Sequence, residues 1–131
     1  MIYGLGTDIV NIERIAEVMA KFEARFMERT FTETEQQAIA AETGELRRNA
    51  RAAKLFAAKE AAVKALGTGF RDGISWREIE VSHDTLGKPL LKFSGKAAEK
   101  LVEAAGQKTP VLHLSLSDDY PAAAAVVIIE F

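Results

Sequence analysis

The chain has no cysteine. That excludes disulfides, thiolate metal sites and a cysteine nucleophile, and it fits a reducing, cytoplasmic location. Basic charge is not in excess: 17 Lys and Arg stand against 19 Asp and Glu, for a net charge of −2. This gives no global case for nucleic-acid binding. No run is long and apolar enough to span a membrane. The N-terminus lacks the basic segment and apolar run of a secretory signal. There is no internal repeat, no low-complexity tract and no Walker A or Rossmann glycine pattern; Gly4-Leu-Gly6 is too short to count. The 131 residues predict one domain. It is large enough to bury a core, yet small enough to gain from oligomerisation.

What the chain does have is centred on residues 54–69, Lys-Leu-Phe-Ala-Ala-Lys-Glu-Ala-Ala-Val-Lys-Ala-Leu-Gly-Thr-Gly. This reads as the second half of a long helix starting near Glu45. Its alanines favour helix and allow close approach of neighbouring backbone. Gly67 suits the C′ position, where a left-handed conformation is easy for glycine. A helix apolar nearly all round is usually buried, and buried charge needs a partner. Lys59, Glu60 and Lys64 therefore require an explanation. Glu60 and Lys64 share one face. They form either an intrahelical ion pair or a site, with a carboxylate for a metal and an ammonium for an anion. Lys59 falls nearer Leu55, Phe56 and Val63, where its stem is expected to pack while its head snorkels outward.

Residues 2–10 alternate like a strand, with Gly4, Gly6 and Asp8 on one face. The glycines leave room for close approach by backbone or ligand. Asp8 is either a turn or cap residue or part of a site. Residues 11–22 suit an amphipathic helix capped by Asn11, with Arg14, Lys21 and Arg25 on roughly one face if it continues, and Arg29 extending that edge. These charges are a solvated face or a docking surface for an acidic partner. Thr32 to Thr43 predicts a helix with a Thr32/Glu35 capping box. The long helix opens with Arg47, Arg48, Arg51 and Lys54, a solvated face or a phosphate-binding edge leading to Glu60 and Lys64. A hairpin is expected from 78–83 and 90–93 across a turn at 84–89, with His83 at the surface. A short helix follows over 95–105. Residues 111–117 alternate, with His113 on the polar face. Asp118-Asp-Tyr-Pro121 reads as a turn, and 122–129 as a strand buried on both faces or covered by another subunit. The order predicts an α+β domain, with a mainly antiparallel sheet packed on a long central helix.

Two segments read together, Gly6-Thr-Asp8-Ile-Val10 and Phe56-Ala-Ala-Lys-Glu60-Ala-Ala-Val-Lys64, resemble the two signatures of the 4′-phosphopantetheinyl transferases, in order and spacing. The overall length is similar to the short bacterial type. Gly67-Thr-Gly69, Gly87-Lys88-Pro89 and His113-Leu-Ser-Leu-Ser117 match further stretches of that family. The resemblance implies transfer of 4′-phosphopantetheine from coenzyme A to a serine of an apo acyl carrier protein, in support of fatty acid biosynthesis. Adenosine 3′,5′-bisphosphate is released. It implies magnesium held by Asp8 and Glu60, and Lys64 at the pyrophosphate. Trimers with sites at subunit interfaces are also implied. Arg47, Arg48, Arg51, Lys54, Gly67, the Gly87-Lys88-Pro89 turn and His113 become candidates for coenzyme A contacts. Arg14, Lys21 and Arg25 become a docking surface for an acidic carrier. The general base stays open among Glu60, a water on the metal and His113. Leu55 stands where many relatives carry arginine, so Lys54 or a neighbouring arginine is expected to supply that charge. Asp118 receives no phosphate-binding role. Two rivals remain: a coenzyme A or nucleotide-binding module without catalysis, and an assembly protein that uses its apolar last strand only to oligomerise.

Overall fold

Ten elements make up the fold in a computed structural model that describes residues 1–131. They are β1 (Ile2–Asn11), α1 (Ile12–Thr30), α2 (Glu33–Ala41), α3 (Glu45–Leu66), a 3₁₀ turn (Trp76–Glu78), β2 (Ile79–His83), β3 (Pro89–Phe93), α4 (Gly95–Ala105), β4 (Val111–Asp119) and β5 (Ala122–Glu130). All pairing is antiparallel, but it is divided between two sheets, β1-β5-β4 and β2-β3. The helix boundaries follow local chemistry. Asn11 caps α1 by accepting from the Glu13 N–H at 2.8 Å. Thr32 and Glu35 complete the capping box of α2. Gly67 closes α3 in the left-handed region, at φ +88°.

The long helix lies across the inner face of the larger sheet. Ala57, Ala58, Ala61 and Ala62 are fully buried there beside Val127 and Ile129 of β5. Contact with β1 is especially close. A Cβ added at Gly4 would lie 1.8 Å from the Ala65 carbonyl oxygen, and one at Gly6 would lie 1.9 Å from that of Ala61. Glycine on the strand and alanine on the helix together allow this approach.

Three expectations change. The C-terminal run is not buried on both faces within one chain. Ala123, Ala125, Val127 and Ile129 point into the core, while Val126 remains 38% exposed on the outer face. Tyr3, Leu5 and Ile9 of β1 share that exposed side. Asp118 and Asp119 belong to β4, so the turn narrows to Tyr120 and Pro121. The first helix runs on to Thr30, but its helical geometry breaks at Phe22 (φ −138°, ψ 35°).

Candidate active site

Strand alternation turns Asp8 inward with Gly4 and Gly6, toward α3. Glu60 comes from the helix side of the same seam. Burial raises the Glu60 carboxyl above its ordinary range, the negative charge of Asp8 raises it further, and Lys64 opposes both. The expected Glu60–Lys64 ion pair does not form the main contact. Lys64 Nζ instead meets Asp8 Oδ1 at 3.1 Å and donates to the Thr7 carbonyl at 2.9 Å. The β1 strand offers it a carboxylate and a carbonyl at once, which the neighbouring helical turn does not.

Asp8 and Glu60 line one cleft of about 350 Å³, together with Arg14, Ile15, Phe26 and Phe56. Two carboxylates beside open space suit a hard divalent cation. Magnesium commonly takes one or two carboxylates and completes its shell with phosphate oxygens and water.

A second groove, of about 430 Å³, shares Val18, Phe26 and Phe56 with the first and adds Phe22, Arg25, Arg29 and Trp76. Arg14 and Arg25 thus border adjoining clefts. Lys21 is exposed but borders neither. The aromatic wall is not legible in the sequence. Trp76 lies in a connecting stretch, and only folding stacks it on Phe56 at 4.7 Å and Phe70 at 3.9 Å.

Arg51 does not lie on an edge leading to Glu60. Arg51 and Glu60 are nine residues apart, two and a half helical turns, so they point to opposite sides. Arg51 binds Glu42 at 2.8 Å and Lys54 binds Asp118 at 2.9 Å. Arg48 reaches the Glu42 carbonyl at 3.4 Å, and Arg47 is exposed. On that far side Arg51 and Lys54 gather with His83, whose imidazole is held below its ordinary range by burial, then by the Arg51 and Lys54 charges. His83 pairs with Pro89, so the Gly87-Lys88-Pro89 turn adjoins this cationic group. His83 is exposed, as the sequence predicts, and its cationic neighbours come from α3, distant in the chain. Leu55 is 1% exposed and packs in the core, leaving Arg51 and Lys54 to carry charge here.

His113 lies on the outer face of the sheet, in a row with Ile128 and Leu5, and contacts Glu130 at 2.9 Å. Asp8 faces inward, so the sheet separates His113 from the carboxylate pair of its own chain. Gly67, two residues past α3 Ala65, caps the helix near Lys64 rather than lining either cleft.

Lys59 does not snorkel outward. It is fully buried, with Nζ 2.7 Å from Glu35 Oε1. Burial pulls its ammonium below the ordinary range, and the Glu35 carboxylate pulls it back up. The stem is too deep in the α2–α3 seam to reach solvent, and α2 brings a carboxylate to it.

Comparison with known proteins agrees with the motif reading. Residues 4–125 match the pattern of the 4′-phosphopantetheinyl transferase superfamily. The holo-[acyl-carrier-protein] synthase of Paramagnetospirillum magneticum is 52% identical over 132 residues, covering 99% of this chain and 97% of that protein. The crystal structure of the holo-[acyl-carrier-protein] synthase from Neisseria meningitidis superposes with a TM-score of 0.82 at 40% identity, covering 100% of both chains. The Bacillus anthracis holo-(acyl-carrier-protein) synthase, solved in complex with CoA (3′,5′-ADP), gives a TM-score of 0.80 at 37% identity, covering 99% of this chain and 97% of that one. On motif, fold and full-length similarity together, the chain belongs to the 4′-phosphopantetheinyl transferase superfamily, in its holo-[acyl-carrier-protein] synthase branch.

Proposed function

We propose that this chain moves 4′-phosphopantetheine from coenzyme A to a serine hydroxyl of an apo acyl carrier protein, in support of fatty acid biosynthesis. The observation that carries the reading is the meeting of Asp8 and Glu60, one from each family signature, at one cleft, with Lys64 paired to Asp8. A new bond forms between the serine oxygen and the phosphorus that carries pantetheine. The bond from that phosphorus to the bridging oxygen breaks, and adenosine 3′,5′-bisphosphate leaves with the electron pair.

Asp8 and Glu60 are the residues that would hold magnesium. When bound, the cation supplies charge neutralisation and orientation at the pyrophosphate. Lys64, its side chain half exposed and paired with Asp8, is the cation that would meet the leaving phosphate. The candidates to receive the serine proton are Glu60, a water on the metal and His113. Arg14 and Arg25 border the clefts on the open side and offer cations to an acidic carrier.

The cationic group around Arg51, Lys54 and His83 lies on the far side of α3, and His113 lies beyond the sheet. A complete coenzyme A site therefore calls for a second copy, whose far side meets the Asp8–Glu60 side of the first. The exposed apolar face of the larger sheet supports assembly, with trimers as the expected form. No helix is long and apolar enough to cross a membrane, and the absence of cysteine supports action in the cytoplasm.

Incubation with coenzyme A, magnesium and a verified apo carrier, followed by intact-mass measurement, tests the reading. A magnesium-dependent gain of one phosphopantetheine is expected, and Asp8→Ala or Glu60→Ala should abolish it. No gain from folded protein would redirect attention to a binding module.

A further inference from the structure

Lys59 adjoins Glu60 in the motif, yet the transfer reaction leaves it without a task. Besides Glu35, its ammonium donates to the Trp76 carbonyl at 3.0 Å and to the Ile79 carbonyl. The Oε2 atom of Glu35 accepts from the Val81 N–H at 2.7 Å, and Oε1 accepts from the Thr32 N–H at 2.8 Å. The network is complete, with no buried side-chain polar atom left unpaired. Buried ion pairs add little stability relative to apolar residues of similar volume. Their directionality is what an apolar replacement cannot supply. Here the direction is specific: α2 and α3 together grip the backbone from Trp76 to Val81. The ring of Trp76 forms a wall of the groove that also holds Arg25 and Phe26. It rests on Phe56, one helical turn before Glu60.

We propose that the Lys59–Glu35 pair is a positioning device for the carrier-binding groove, holding the Trp76 ring against Phe56 at a fixed distance from Glu60. The proposal rests on the transfer reading above, since the groove's occupant is taken to be the carrier. Trp76 is the only tryptophan in the chain, so its fluorescence reports the wall directly.

Two variants of the full-length protein provide the test. Lys59→Met combined with Glu35→Gln removes both charges and orphans neither. Trp76→Leu removes the ring and leaves the pair intact. In the double variant, acrylamide should quench Trp76 more readily than in the unsubstituted protein. Both variants should raise the KM for apo carrier about tenfold, the effect of taking one aromatic ring out of a docking surface, with the KM for coenzyme A changed less than about twofold. Unchanged quenching in the folded double variant would overturn the proposal, showing a purely structural pair. So would an unchanged carrier KM in Trp76→Leu. If the unsubstituted protein modified no carrier, the transfer reading would fall instead, and quenching alone would decide whether the pair positions the ring.

Discussion

Replacing Gly6 by alanine tests how the carboxylate pair is built. The new methyl would begin 1.9 Å from the Ala61 carbonyl oxygen, whereas ordinary contact starts at 3.4 Å. Strand or helix must therefore retreat by about 1.5 Å. The obstacle is helix backbone, which cannot rotate aside as a side chain would. Overpacking of this kind costs about 1–3 kcal/mol. Asp8 lies two residues along the same strand, so the retreat separates it from Glu60 and Lys64. A misplacement of about 1 Å can cost on the order of a hundredfold in rate. Gly6→Ala is thus expected to fold with a lowered melting temperature, to turn over about a hundredfold more slowly and to require more magnesium for half-maximal rate. Gly4→Ala meets the Ala65 carbonyl at 1.8 Å but lies twice as far from Asp8 along the strand. It should match the stability loss while losing less activity. Chemical denaturation and steady-state rates across a magnesium titration measure both. A folded Gly6→Ala protein with unchanged turnover and magnesium response would refute the idea that glycine sets the spacing of the pair.

Glu60→Gln should abolish transfer yet stabilise the fold at neutral pH, read as a raised melting temperature. The folded carboxyl titrates above its unfolded value of 4.5. Its contribution to stability is therefore full below pH 4.5 and is lost as pH rises through the folded value, a loss that glutamine should remove. Reversing charge at Arg14 and Arg25 should raise the carrier KM about tenfold at low ionic strength, with the effect shrinking as salt is added. An unchanged KM at low salt would remove these residues from the docking surface. Val126→Glu places a charge on the exposed sheet face and should reduce the proposed assembly to single chains, as measured by light scattering. An unaltered mass would move the interface elsewhere.

Local signals carry much of the fold. Alternation around Asp8, the Thr32/Glu35 box and the glycine after Leu66 each act within a few residues, so each is readable. The same holds for the spacing from Glu60 to Lys64. What escapes depends on which distant segment arrives beside a side chain. Lys59 resembles a snorkelling lysine in sequence because nothing near it in the chain is acidic on that side; its partner comes from α2. Lys64 turns from Glu60 to Asp8 because β1 runs beside it. Trp76 and His83 acquire their surroundings only when the connecting stretch and the β2–β3 hairpin fold back onto α3. The division of pairing into two sheets is likewise hidden, since alternation shows that a strand exists and not what it pairs with.

The placement of Arg51 and Glu60 on opposite sides of α3 has a genetic consequence. In the closed ring proposed above, each site would take one half from each of two neighbours. A chain disabled at Asp8 still offers a sound far side, and a chain disabled at Arg51 and Lys54 still offers a sound carboxylate pair. Neither variant alone would modify the carrier, but co-expression would assemble hybrid rings. With equal, random mixing, about one interface in four brings the two intact halves together. Recovery near a quarter of normal activity from two dead alleles would be the signature of an enzyme whose working unit is the seam between chains.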